Sequence, residues 1–78
     1  MTKKSITTDQ APQAIGAYSQ AVISNNMLYV SGQIPLEPSS MEIVDQSFDA
    51  AVDQVLNNLE AICKAANCSL DNIVKLTI

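Results

Sequence analysis

Residues 48–66 place apolar side chains at Phe48, Ala51, Val52, Val55, Leu59, Ile62, Cys63 and Ala66, the i, i+3, i+4, i+7 spacing of a helix with one apolar face. This stripe constrains the chain more than any other feature. A helix of that length gains little from backbone propensity alone in water, so its apolar face must lie on another apolar surface. Its ends are marked as well. Ser47 or Asp45 can cap the start, Asp49 suits the positive end of the helix dipole, and Lys64 suits the negative end. Glu60 and Lys64 form an i, i+4 pair, and Asn67 stands where a left-handed C′ residue is expected. The other side, with Asp49, Asp53, Gln54, Asn57 and Asn58, reads as a solvated helix back rather than a binding surface.

The surface this helix needs comes earlier in the chain. Residues 18–24 and 27–34 alternate as strands around Asn25-Asn26, and Asn tolerates the positive φ that a two-residue type I′ turn demands. With those two as the turn, Tyr18 faces Gln33, Ser19 faces Gly32 and Gln20 faces Ser31. One face of the hairpin then carries Ala21, Ile23, Leu28 and Val30, a core face by the two-residue period. The other carries Tyr18, Gln20, Val22, Tyr29, Ser31 and Gln33. The polar clusters YSQ and SGQ meet at the open end of the hairpin, away from the turn.

The remaining pieces are shorter. Residues 3–8 predict a weak first strand, which residues 9–12 break. A polar loop with Pro35, Pro38, Ser39 and Ser40 ends the second hairpin strand. Residues 73–78, IVKLTI, alternate as a strand with Val74, Leu76 and Ile78 on one side and no turn or charge beyond. The expectation is one domain over residues 1–78, incomplete at its carboxyl end, because strand, hairpin, helix, strand reads as half of a repeated plan.

Charge limits the chemistry. The net charge is −4, with four Lys and Arg residues together and no His. All four cations are lysines, at 3, 4, 64 and 75. Nucleic-acid binding is not expected, since phosphate contacts need clustered Lys and Arg. Without Arg the chain has no bidentate clamp for a carboxylate, and without His no side chain whose ordinary pKa lies near neutrality. Cys63 and Cys68 fit neither a CxxC pair nor a zinc half-site. Cys63 reads as a small core residue on the helix stripe and Cys68 as an inert turn thiol, with no metal site expected. No stretch approaches the roughly 18 apolar residues of a membrane span. The first ten residues, MTKKSITTDQ, lack the apolar core of a secretory signal. The expectation is a cytoplasmic protein.

IGAYSQAV, LYVSGQIPLEP, QVLNNLEAICKAA and SLDNIVKLTI together resemble the reactive intermediate deaminase A (RidA) family, also called YjgF or endoribonuclease L-PSP. The resemblance runs from about Thr7 to Ile78. Ala17 stands where the family usually has Pro, Met41 interrupts a turn that usually contains Gly, and Asn67 replaces a helix-ending Gly. The resemblance implies an α+β, chorismate-mutase-like (YjgF-like) fold: a mixed β-sheet with helices on one face, of which this chain covers strand, hairpin, first helix and next strand. It implies a homotrimer with clefts between subunits, and no cofactor. It also implies hydrolysis of 2-imino acids and their enamine tautomers to 2-oxo acids and ammonia. Tyr18 matches the family's cleft tyrosine, a catalytic candidate, and Ser31 and Gly32 match the segment lining the same pocket, as substrate-binding candidates. The family's substrate-anchoring Arg, a neighbouring Cys and a water-activating Glu belong to a later segment, and no residue here takes their place.

Read from the residues alone, the simpler reading makes Tyr18 only a strand aromatic and Gly32 only a bulge. Two other functions stand beside deamination. One is a non-catalytic module of the same fold that holds small carboxylates or a protein partner. The other is a ribonuclease or translation inhibitor, which the acidic charge and the missing His and Arg disfavour.

Overall fold

The computed structural model describes residues 3–77. Three strands, β1 (Lys3–Ile6), β2 (Ala21–Ser24) and β3 (Met27–Val30), form an antiparallel sheet in the order β1-β2-β3. Asn25 and Asn26 take φ of 52° and 63°, the two positive values of a type I′ turn. The register follows from that turn: Ser24 pairs with Met27, Ile23 with Leu28, Val22 with Tyr29 and Ala21 with Val30. Ala21 is buried in the core, and Ile23, Leu28 and Val30 pack against it. The predicted core face is the observed one.

All three strands are shorter than predicted, and the cause is local. Regular pairing stops at Ala21 and Val30, with one further bond from the Ser31 N–H to the Gln20 carbonyl at 3.0 Å. Beyond it the chains part, so the Tyr18–Gln33 and Ser19–Gly32 pairs do not form. β1 ends at Ile6 because the Thr8 N–H goes to the Gln20 side-chain oxygen at 2.7 Å, not to a strand.

Helix α1 (Phe48–Ala65) is the predicted helix, one residue shorter. Ser47, not Asp45, is its cap: the Ser47 Oγ accepts from the Ala50 N–H at 3.0 Å. At the far end the Asn67 N–H reaches the Lys64 carbonyl at 3.0 Å and the Cys68 N–H reaches the Cys63 carbonyl at 2.9 Å. With Asn67 at φ 62°, this is a Schellman closure. Lys64 and Glu60 pair at 3.7 Å, exposed to solvent, and so contribute only a few tenths of a kcal/mol.

The face that α1 buries is rotated from the predicted one. The core cluster joins Ile62 to Ile6, Ala11 and Ala21, with Ala61 and Ala66 packed against it. Asn58, read from sequence as part of the solvated back, is fully buried, while Phe48 is 81% exposed and Val52 and Leu56 are also exposed. Ala51 and Val55, on the other side of the same turns, are half-buried, so the exposure follows one side of the helix. Asn58 turns inward to meet backbone: its Nδ2 donates to the Ile34 and Leu36 carbonyls at 3.3 and 3.0 Å. Gln54 Nε2 donates to the Asn58 Oδ1 at 3.0 Å, which completes the amide's partners.

Residues 34–44 form a narrow loop closed by a bridge between Leu36 and Ile43. The Glu37 carboxylate gathers the Ser39 N–H and Oγ–H and the Ser40 N–H, all within 3.0 Å. A short 3₁₀ turn, Leu70–Asn72, follows α1. The strand predicted over residues 73–78 does not form: residues 73–77 are exposed, with no sheet partner among the described residues, and Ile78 lies outside them. An alternating pattern is only half of a strand, and the other half is a neighbouring edge.

Candidate functional site

Where the hairpin strands part, an open cleft of about 330 Å³ forms. One wall is Pro12, Gln13, Ile15 and Tyr18, and the other is Ser31, Gly32, Gln33, Ile34 and Leu36, with Gln20 between them. The structure therefore brings Tyr18, Ser31 and Gly32, the three residues singled out from sequence, to one place. They meet across a gap rather than across a ladder.

Gln20 builds this gap. The sequence reading set it on the mixed outer face of the hairpin, yet it is only 3% exposed. Its Nε2 donates to the Thr8 and Pro12 carbonyls at 2.9 and 2.7 Å, with a longer contact of 3.3 Å to the Ala11 carbonyl. Its Oε1 accepts from Thr8 N–H. One side chain thus satisfies the backbone of a segment that has no secondary structure of its own, which is how an irregular segment stays packed against a sheet. Its own carbonyl accepts from both the N–H and the Oγ–H of Ser31, each at 3.0 Å. Through Gln20 the two walls are tied to each other.

Tyr18 projects from the first wall and is 53% exposed. Its hydroxyl accepts weakly from the Ile15 N–H at 3.4 Å, so its proton remains free to donate into the cleft. The chain reaches this position through Gly16, whose φ of +117° is open to glycine and strained for other residues. On the second wall, Gln33 Nε2 donates to the Ser31 carbonyl at 3.2 Å. Gly32 has no positive φ, and an added Cβ would meet nothing within 4 Å. Neither backbone strain nor packing within this chain therefore requires glycine there.

No side chain lining the cleft carries a charge. The walls offer hydroxyls, amides and apolar surface, an arrangement that can orient a small polar molecule but not neutralise an anion. Among the described residues, no group of three or more His, Cys, Asp or Glu could hold a metal ion. No helix among them is long and apolar enough to cross a membrane. The sequence reading missed Pro12, Gln13, Ile15, Ile34 and Leu36 as lining residues. The amide of the YSQ cluster was the one available signal, because a glutamine between apolar strand positions needs partners.

Comparison with known proteins gives consistent results. Residues 8–78 match the family model described as Endoribonuclease L-PSP. The chain is 49% identical over 76 residues to the rat protein named 2-iminobutanoate/2-iminopropanoate deaminase, covering 97% of this chain and 56% of that protein. RidA from an Antarctic Psychrobacter superposes with a TM-score of 0.85 at 46% identity, over 91% of this chain and 57% of its own. TdcF from E. coli, solved with bound serine, superposes with a TM-score of 0.85 at 39% identity, over 91% of this chain and 55% of its own. The chain thus spans little more than half the length of each.

Proposed function

The chain belongs to the endoribonuclease L-PSP family, also called RidA or YjgF, and on that premise we propose that the intact protein hydrolyses 2-imino acids and enamines, such as 2-iminobutanoate and 2-iminopropanoate, to 2-oxo acids and ammonia. Its described residues carry part of the YjgF-like fold: three antiparallel strands and one helix. The observation that carries the proposal is the similarity, along nearly all of this chain, to the rat protein bearing that activity as its name. The convergence of Tyr18, Ser31 and Gly32 on one cleft supports it.

The reaction sets definite demands. Water attacks the electrophilic imine carbon, a tetrahedral carbinolamine forms, and ammonia departs after proton transfer to nitrogen. In this reading the free Tyr18 proton orients the water or the substrate nitrogen, and the bare backbone at Gly32 gives the planar substrate room to approach. Ser31 and Gln33 shape the same wall. The substrate carboxylate must meet a cation or convergent N–H donors, or its desolvation opposes binding. A carboxylate base within about 3 Å of the water speeds attack. The uncharged lining supplies neither. The proposal therefore includes a homotrimer whose clefts are completed by groups outside this chain's own walls.

Ammonia release from freshly generated 2-iminobutanoate, together with sedimentation equilibrium, tests this. The intact protein is expected to accelerate hydrolysis and to sediment as a trimer. Family-like rates from the 78-residue chain as a monomer would overturn the need for outside groups. A second reading, a non-catalytic binder of small carboxylates, draws on the serine bound to TdcF. Binding of 2-oxobutanoate by the intact protein without any acceleration of imine hydrolysis would favour it.

A further inference from the structure

In a Schellman closure such as that of α1, the side chains of the third-last helical residue and of the second residue past the cap are frequently in contact. In this chain those positions are Cys63 and Cys68, the only two cysteines. The closure is complete, with the Cys68 N–H on the Cys63 carbonyl at 2.9 Å and Asn67 left-handed between them. Standard backbone dimensions around that bond keep the two Cα atoms within about 7 Å, close to the roughly 4.4–6.8 Å span that a disulfide bridges. The two cysteines differ in exposure: Cys63 is 5% exposed and Cys68 is half-buried.

From this geometry we infer that Cys63 and Cys68 form a peroxide-responsive dithiol, which closes to an intrachain disulfide across the carboxyl end of α1. Cys68, the accessible thiol, reacts first. Its sulfur attacks hydrogen peroxide, an S–O bond forms, the O–O bond breaks, and the hydroxide leaves with the thiol proton as water. Cys63 sulfur then attacks the sulfenic sulfur: the S–S bond forms, the S–O bond breaks, and a second water carries off the Cys63 proton. Two thiols are oxidised and one peroxide is reduced. Burial, with the neighbouring Cys68 and Glu60, pushes the Cys63 thiol up, which suits it to the second step rather than to the first. The product fastens the last helical turn to residue 68, and a dithiol reductant reverses it.

The test is intact-mass analysis of the folded protein after a small excess of hydrogen peroxide, with both thiols probed by alkylation under denaturing conditions. The expected result is the loss of two hydrogens, no alkylation at either cysteine, a fragment linking Cys63 to Cys68, and recovery with dithiothreitol. In Cys63→Ser, dimedone is expected to trap a Cys68 sulfenic acid that the unaltered protein does not accumulate; the unaltered protein's mass shift decides the matter should that variant fail to fold. Dimedone-labelled Cys68 beside a still alkylatable Cys63 in the unaltered protein would overturn the inference. So would disulfides formed between chains, or two thiols untouched by peroxide.

Discussion

Gln20 and Asn58 are two buried amides with one task. Each satisfies backbone carbonyls of a segment that has no ladder of its own: Thr8 and Pro12 for Gln20, Ile34 and Leu36 for Asn58. Those segments are opposite walls of the cleft, so removing either amide should cost stability and wall geometry together. Gln20→Leu strands several buried polar groups at once, and a loss of about 2–4 kcal/mol is expected. Urea unfolding checks it, as a lower midpoint with unchanged slope. Gly32 is the opposite case. Gly32→Ala meets no neighbour and trims the freedom of the unfolded chain, so stability should rise by about 0.4–1 kcal/mol. On the proposed function the same methyl intrudes on the substrate. Binding of 2-oxobutanoate by the intact protein, followed by NMR titration, should then weaken by about tenfold, of the order of an overpacking cost. Unchanged binding would leave Gly32 without a role in the cleft. At this scale the shared location of Tyr18, Ser31 and Gly32 was legible in the sequence through their motifs. Gln20 and Asn58 were misplaced, because an amide on a strand or helix looks the same whether it faces water or a carbonyl.

Among the elements, the loop of residues 34–44 shows how local chemistry shapes a connection. Its turn passes through Met41 at φ 59°, where an L-side chain costs about 1–2 kcal/mol. Met41→Gly relieves that strain but frees the unfolded chain, so a net gain of about 0.5–1 kcal/mol is expected, seen as a raised melting temperature. The same loop holds a pH-sensitive contact. The Ser39 hydroxyl first, then the Ser39 and Ser40 backbone N–H groups, lower the Glu37 carboxyl from 4.5 to about 2. A depressed carboxylate contributes stability that is complete above its unfolded value and lost as pH falls through its folded value. The Glu37 contribution should therefore be constant above about pH 4.5 and fade toward pH 2. A carbon-detected NMR titration of Glu37 checks it, and Glu37→Gln should remove the inflection. The helix and its Asn67 exit were readable from sequence, and its cap was narrowed to Ser47 or Asp45, because each depends on neighbours within a turn. The strand over residues 73–78 was not, since pairing depends on an edge the pattern does not contain.

At the scale of the whole molecule, α1 leaves one apolar side uncovered. Phe48, Val52 and Leu56, one turn apart, stand exposed on the first turns of the helix, and Ile15 and Ile43 are exposed elsewhere. An apolar ridge of this kind promotes association. The 78-residue chain should sediment above one chain mass at rising concentration, and Phe48→Ser should lower that mass while leaving the helix signal in circular dichroism intact. The apolar stripe of residues 48–66 was therefore read correctly as a helix and only partly as a core face. Sequence alone determined the hairpin and its register, the helix and its left-handed exit, and the motifs whose residues line the cleft. Each of these obeys rules that act between residues a few positions apart. Tertiary structure alone decided which helix residues are covered, which amides are buried, and where the hairpin opens into a cleft. Asn58 finds its partners 24 and 22 positions away and Gln20 finds its own 12 and 8 away, on backbone carbonyls that every residue carries and no side-chain pattern marks.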